Sequence, residues 1–102
     1  MVRLVEEKLA VLARLCARRG VRRLELFGSA AAADFDPAKS DLDFLVEFFD
    51  LPWNGCADAY FGLREDLTEL FQRPIDLVMI SAVRNPYFLQ AIQNTRTTLY
   101  AA

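Results

Sequence analysis

Two carboxylates at close spacing are the first side chains in this chain that could do chemistry. The segment Asp41-Leu42-Asp43 opens an apolar run. Because side chains alternate faces along a strand, Asp41 and Asp43 are expected to point to the same side. Carboxylates a few Å apart repel each other unless a cation lies between them. Mg²⁺ takes oxygen ligands, commonly one or two carboxylates together with substrate phosphates.

A Gly-Ser turn precedes this pair. Gly28-Ser29 ends an earlier apolar run and stands eleven residues before Asp41. Such a turn ahead of a helix offers backbone N–H groups and a hydroxyl to an anion. A phosphate cradle beside a metal-binding pair predicts nucleotide chemistry.

A third carboxylate, Asp76, stands near the head of the apolar segment 75–80. If Asp76 faces the first two on a neighbouring strand, three carboxylates around one or two Mg²⁺ ions suit in-line nucleotidyl transfer, with Asp76 as general base. The alternatives are structural: a turn cap at Asp41, an ion pair of Asp43 with Arg22 or Arg23, and one of Asp76 with Arg73. The Gly-Ser turn before the pair and the strand-borne Asp76 after it favour the catalytic interpretation.

Composition narrows the chemistry further. The chain has 102 residues, which predicts one domain over 1–102, and 54% hydrophobic residues indicate a globular protein. It contains no histidine, which excludes His-based catalysis and ordinary zinc sites. Cys16 and Cys56 lack metal or redox spacing, and no apolar run is long enough for a membrane helix or a signal peptide. We therefore expect a reduced, cytoplasmic protein.

Charge is unevenly spread along the chain. Residues 1–25 hold seven basic and three acidic groups, whereas residues 26–80 hold three basic and eleven acidic ones. An acidic centre argues against a broad nucleic-acid surface and suits a metal site. The basic N-terminal helix is either a docking surface or a solvated face, and exposed apolar residues such as Phe49, Trp53 and Phe61 could serve a homo- or hetero-oligomer.

Hydrophobic periodicity predicts the elements that position these residues. Gly20 is expected to cap the first helix and Pro86 to begin the last one. The predicted elements are a helix over 3–18, a strand Val21–Phe27, a short turn Ser29–Ala33, a strand Leu42–Phe48 buried on both faces, a helix from about Ala57 to Gln72, a strand Ile75–Ile80, a helix Tyr87–Asn94 and a terminal tail with Leu99-Tyr100. This order predicts an α+β (α/β) fold with helices packed on a small mixed sheet.

These motifs together resemble the minimal nucleotidyltransferase family of the DNA polymerase beta superfamily. The resemblance covers nearly the whole chain and rests on Phe27-Gly28-Ser29, Ser40-Asp41-Leu42-Asp43 and Ile75-Asp76-Leu77. It implies a nucleotidyltransferase fold and a Mg²⁺-dependent enzyme that uses a nucleoside triphosphate such as ATP. The implied roles are phosphate binding for Gly28 and Ser29, metal binding for Asp41, Asp43 and Asp76, and activation of the acceptor hydroxyl for Asp76.

The family resemblance also implies a protein partner. Small members of the family resemble the antitoxin of a toxin–antitoxin pair and transfer AMP to a tyrosine of a HEPN-type ribonuclease toxin. The sequence departs from the family at Ala32 and Ala33, where an arginine and a glycine are usual. The missing arginine removes a phosphate contact, for which Lys39, Arg73 or Arg84 could substitute; we assign Lys39 to the nucleotide site.

Two other functions remain open at this point. A non-catalytic antitoxin would neutralise the same partner by binding alone and would tolerate the alanine at residue 32. A transferase acting on a small molecule or an RNA end is less favoured, because the chain lacks a basic face.

Overall fold

The chain folds into a mixed four-stranded sheet with helices packed against it. The structure, a computed structural model, describes residues 3–28, 41–49, 55–83, 85–93 and 95–102. The elements in chain order are α1 (Arg3–Glu6), α2 (Leu9–Arg18), β1 (Val21–Phe27), β2 (Leu42–Phe48), α3 (Gly55–Phe71), β3 (Ile75–Met79), a 3₁₀ turn (Ile80–Ala82), α4 (Pro86–Ile92) and β4 (Thr97–Ala101).

The strand order is β3-β2-β1-β4, so β1 and β2 lie in the middle of the sheet. Strand β2 runs parallel to β3, while β1 is antiparallel to both of its neighbours. Within the part of the chain that the structure describes, no helix is long and apolar enough to cross a membrane. The predicted fold class, helices on a small mixed sheet, is confirmed.

One face of the sheet forms the hydrophobic core with α2 and α3. Alternate residues of the strands point into this core, because side chains alternate between the two faces of a sheet. Helices α2 and α3 contribute leucines three or four residues apart, which lie on one face of each helix. The fully buried members of this cluster include Leu12, Leu24, Leu26, Leu42, Phe44, Val46, Leu63 and Leu67. Val21 also lies in this core, because the register of β1 shifts between Val21 and Arg23. Beyond that irregularity the odd-numbered residues of β1 and β2, such as Glu25 and Asp43, point to the opposite face.

The first two strands have the predicted bounds. Leu24 to Phe27 and Phe44 to Val46 are buried, so the prediction of a central strand buried on both faces is confirmed for β2. Gly20, which follows the capping residue Arg19 of α2, has a φ of 71°, the left-handed conformation of a helix-ending glycine. Pro86 begins α4, and the side chain of Asn85 accepts a hydrogen bond from the Tyr87 amide at its start.

Other boundaries differ from the prediction. The expected helix over 3–18 is interrupted at residues 7–8, where the Lys8 amide bonds the Val5 carbonyl three residues back instead of four. The prediction of an unpaired tail is wrong, because Leu99 and Tyr100 belong to β4, which pairs with β1. The hydrophobic contact expected of these two residues is confirmed, since both pack against the core. Helix α3 begins earlier, at Gly55, and β3 ends earlier, at Met79. The predicted turn at Ser29–Ala33 and the loop before Ser40 lie outside the described residues.

Candidate active site

Strand pairing brings two of the three predicted carboxylates to adjacent positions. Asp43 on β2 is the register partner of Asp76 on β3 and, on its other side, of Phe27 on β1. Because all three occupy paired positions, they share the sheet face opposite the core. The prediction that Asp76 faces Asp41 and Asp43 from a neighbouring strand is confirmed for Asp43. Among the described residues, the three carboxylates are not gathered into a metal-binding group.

Gly28 lies directly against the Asp43 carboxylate. It follows β1 with a φ of 73°, a left-handed conformation that a residue with a side chain adopts only at a cost. A Cβ placed on Gly28 would overlap Oδ2 of Asp43. Because glycine has no Cβ, the Asp43 carboxylate can lie against the backbone of residue 28.

The carboxylates raise the cost of charge at Asp43. Partial burial, followed by the negative charges of Asp76 and Asp41, raises the pKa of Asp43 from 3.8 to about 6. Asp41 and Asp76 themselves are exposed, whereas Asp43 is half-buried. The site thus contains one half-buried carboxylate, whose charged form is disfavoured, near two exposed ones.

The expected structural partners of Asp43 are engaged elsewhere. Arg22 Nε lies 3.5 Å from the Glu47 carboxylate, and Arg23 Nε lies 3.4 Å from that of Glu25. The alternative in which either arginine neutralises Asp43 is therefore wrong. Among the described residues, neither of these two arginines is therefore the counter-charge of Asp43.

The other predicted nucleotide-binding residues lie in parts of the chain that the structure does not describe. Ser29 and Lys39, predicted to bind the nucleotide, lie outside the described residues, as do Ala32, Ala33, Trp53 and Arg84. Cys16 is buried, and burial raises its pKa to about 12, which makes it an inert core thiol.

Sequence reasoning missed a buried charge on the same sheet face. Glu25 is only 4% exposed and binds the Arg96 guanidinium through two hydrogen bonds. An acidic residue among apolar neighbours on a central strand was the available signal. Its partner could not be inferred, because Arg96 lies 71 residues away in the sequence.

This combination of a Gly-ended strand and paired strand carboxylates agrees with the comparison to known protein families. The family model of the nucleotidyltransferase domain matches residues 10–98. The chain therefore belongs to the nucleotidyltransferase domain family, and it is a nucleotidyltransferase.

A sequence relative and several solved structures are similar to the chain. A protein of Methanocaldococcus jannaschii named "Putative protein adenylyltransferase" is 36% identical over 75 residues, which are 72% of this chain and 70% of that protein. A chain of the complex between tri-AMPylated Shewanella oneidensis HEPN toxin and MNT antitoxin superposes with a TM-score of 0.65 at 18% identity, covering 96% of this chain and 73% of that one. A chain of a toxin–antitoxin structure with AMP-PNP gives 0.67 at 20% identity, covering 92% and 73%.

Proposed function

We propose that this chain is a Mg²⁺-dependent enzyme that transfers AMP from ATP to a tyrosine hydroxyl of a HEPN-type ribonuclease toxin. The observation that carries the proposal is the pairing of Asp43 with Asp76 beside Gly28. The relative named as a protein adenylyltransferase supports AMP transfer to a protein. The fold shared with an MNT antitoxin complex supports the choice of partner.

The carboxylates fit a divalent cation that substrate phosphates complete. Asp41, Asp43 and Asp76 offer only oxygen ligands, which Mg²⁺ prefers. Among the described residues, no three acidic or cysteine side chains form a ready metal cage. A site of this kind binds its cation together with triphosphate oxygens. Bound Mg²⁺ would neutralise charge on the transferring phosphate and lower the pKa of the acceptor hydroxyl.

Different residues would bind the nucleotide donor and activate the acceptor hydroxyl. Gly28, Ser29 and Lys39 would bind the phosphates of ATP, since the backbone at Gly28 carries no side chain to obstruct them. The acceptor oxygen attacks the α-phosphorus, the bond from that phosphorus to the oxygen bridging to the β-phosphate breaks, and pyrophosphate leaves. Asp76, exposed on an edge strand, would take the hydroxyl proton.

Intact-mass analysis of the partner tests the proposal directly. A HEPN-type ribonuclease toxin is incubated with ATP, MgCl₂ and the wild type, Asp43→Asn or Asp76→Asn. We expect the wild type to add AMP units and both variants to add none. Glu47→Gln is the matched control, because Glu47 lies on the same strand and face but pairs with Arg22.

Two outcomes would overturn the enzyme proposal. If Asp43→Asn neutralises the co-expressed toxin as well as the wild type does, the chain acts by binding alone. If the partner's mass stays unchanged while a small molecule or RNA end acquires AMP, the acceptor is of another class.

A further inference from the structure

The sheet face that carries Asp43 is covered in part by α4 and the turn into β4. Two contacts hold this cover to β1. Near the start of α4, the Phe88 ring packs edge-on against the Phe27 ring, with centroids 5.7 Å apart and planes at 85°. At the start of β4, Arg96 binds Glu25. Phe27 and Glu25 point to the same side of β1 as the register partner Asp43 points on β2.

The second contact is a two-point fork. Nε of Arg96 donates to Oε2 of Glu25 at 2.9 Å, and Nη2 donates to Oε1 at 2.7 Å. The Glu25 side chain is 5% exposed and that of Arg96 is 24% exposed. The Arg23 Nε, 3.4 Å from Oε1, adds a second positive charge. Glu25 is thus a buried carboxylate held between two arginines.

Stability alone does not require charges at this place. Desolvating a buried ion pair is expensive, and well-packed apolar residues of similar volume often stabilise a fold equally well. The fork instead fixes the orientation of the two segments that it joins, because a planar guanidinium with two hydrogen bonds to one carboxylate sets both the distance and the angle between them.

The fork and the Phe27–Phe88 contact join this cover to β1 through side chains. Backbone pairing with β1 begins only at Thr97, the residue after Arg96. Helix α4 contains no fully buried residue. A cavity of about 110 Å³, with Glu25, Arg96, Leu45 and Ile80 in its lining, lies beside the fork. The two side-chain anchors thus lie near the two ends of the segment that runs from α4 to β4.

We propose that Glu25 and Arg96 are positioning residues: their fork, together with the Phe27–Phe88 contact, sets the place of α4 relative to the end of β1 that carries Gly28 and pairs with Asp43, and thereby the approach of the acceptor protein to that site. This inference rests on the proposed function for the acceptor, whereas the placement of α4 stands on the contacts alone. The pair affects the reaction through α4 and touches neither nucleotide nor metal.

Two variants separate positioning from stability. Arg96→Lys keeps the charge and loses the fork, and the double variant Glu25→Met with Arg96→Met removes the charges in favour of apolar packing. Three measurements are made on each full-length variant: thermal unfolding, amide hydrogen exchange of residues 86–92, and AMP transfer at varied acceptor concentration. We expect the unfolding temperature of both variants to stay within a few degrees of that of the wild type. Amide exchange in α4 should be at least tenfold faster, while exchange in α3 stays unchanged. The kcat/KM for the acceptor should fall at least tenfold, while the KM for ATP stays within about twofold of the wild-type value.

The Arg19–Asp66 fork is the matched control. It joins α2 to α3, away from the Asp43 face, with Arg19 Nε and Nη2 at 2.9 and 3.3 Å from the two carboxylate oxygens. Arg19→Lys should leave both α4 exchange and transfer unchanged. Wild-type transfer by the stable double variant would overturn the proposal. If the wild type itself transfers no AMP, the proposed function fails. Unchanged amide exchange of α4 in both variants would overturn the positioning role, whatever the result of the transfer assay.

Discussion

Oδ2 of Asp43 lies in the space where any residue other than glycine at position 28 would place its Cβ. One glycine thereby meets two requirements at once, a left-handed turn with φ of 73° and close approach to a carboxylate. The turn and the carboxylate come from β1 and β2, which are paired through Phe27 and Asp43. The candidate site is thus built into the pairing of the two central strands.

Replacing Gly28 by alanine should abolish transfer and destabilise the fold. The left-handed conformation costs a residue with a Cβ about 1–2 kcal/mol, and the methyl group would also displace the Asp43 carboxylate. Urea denaturation and intact-mass assays measure the two effects. Gly20→Ala is the control, because Gly20 has a similar φ of 71° but follows α2. It should lose stability and keep activity; equal loss of activity in both variants would contradict a specific role of Gly28.

Asp43→Asn should stabilise the metal-free protein at pH 8 while abolishing transfer. Since folding raises the pKa of Asp43 from 3.8 to about 6, the folded state binds the proton more tightly, and stability falls as pH rises between these values. For a fully enclosed group, this pKa shift would lower the free energy of unfolding by about 3 kcal/mol at high pH. Asp43 is only half-buried, so solvent screening reduces this loss of stability to about 1 kcal/mol. The neutral amide escapes this cost.

Denaturation curves of Asp43→Asn and wild type at pH 4 and pH 8 check this expectation. The gain should appear at pH 8 and vanish near pH 4, where the wild-type carboxyl is protonated. Asp58→Asn, on the exposed start of α3, is the control and should show no gain. Equal stability of Asp43→Asn and wild type at pH 8 would contradict the electrostatic account.

Binding of Mg²⁺ with a non-hydrolysable ATP analogue should weaken as pH falls below about 6. Metal binding needs the charged carboxylate, so the proton on Asp43, whose pKa is about 6, competes with the cation. We expect apparent affinity to fall up to about tenfold per pH unit below that point. Calorimetric titration at pH 5 and pH 8 measures the difference. Asp43→Asn should bind weakly at both values, and a pH-independent affinity of the wild type would count against Asp43 as a ligand.

The parts of the structure that the sequence predicts are those specified by local patterns. An apolar segment between Gly20 and Gly28 predicts β1, and the apolar segment from Ile75 to Ile80 predicts the strand that carries Asp76. Strand β4 was missed because its five residues form a strand only by pairing with β1, far away in the sequence. The Glu25–Arg96 fork was missed for the same reason, since local periodicity carries no information on contacts between distant segments.

Gly62→Ala should change stability little in the wild type and increase it when Arg19 is absent. A Cβ on Gly62 would lie 2.5 Å from Nη1 and 2.6 Å from Cζ of Arg19, so the guanidinium must move from Asp66. Alanine in mid-helix gains about 1 kcal/mol over glycine, and loss of a partly buried charged hydrogen bond costs about as much.

A double-mutant cycle measures this compensation. In an Arg19→Ala background, Gly62→Ala has no guanidinium to displace, so it should stabilise the protein by up to about 1 kcal/mol. The two substitutions would then be non-additive, as expected for residues in contact. Urea denaturation of the wild type, both single variants and the double variant gives the coupling energy. Equal effects of Gly62→Ala in the two backgrounds would show that the Arg19 fork does not depend on the space at Gly62.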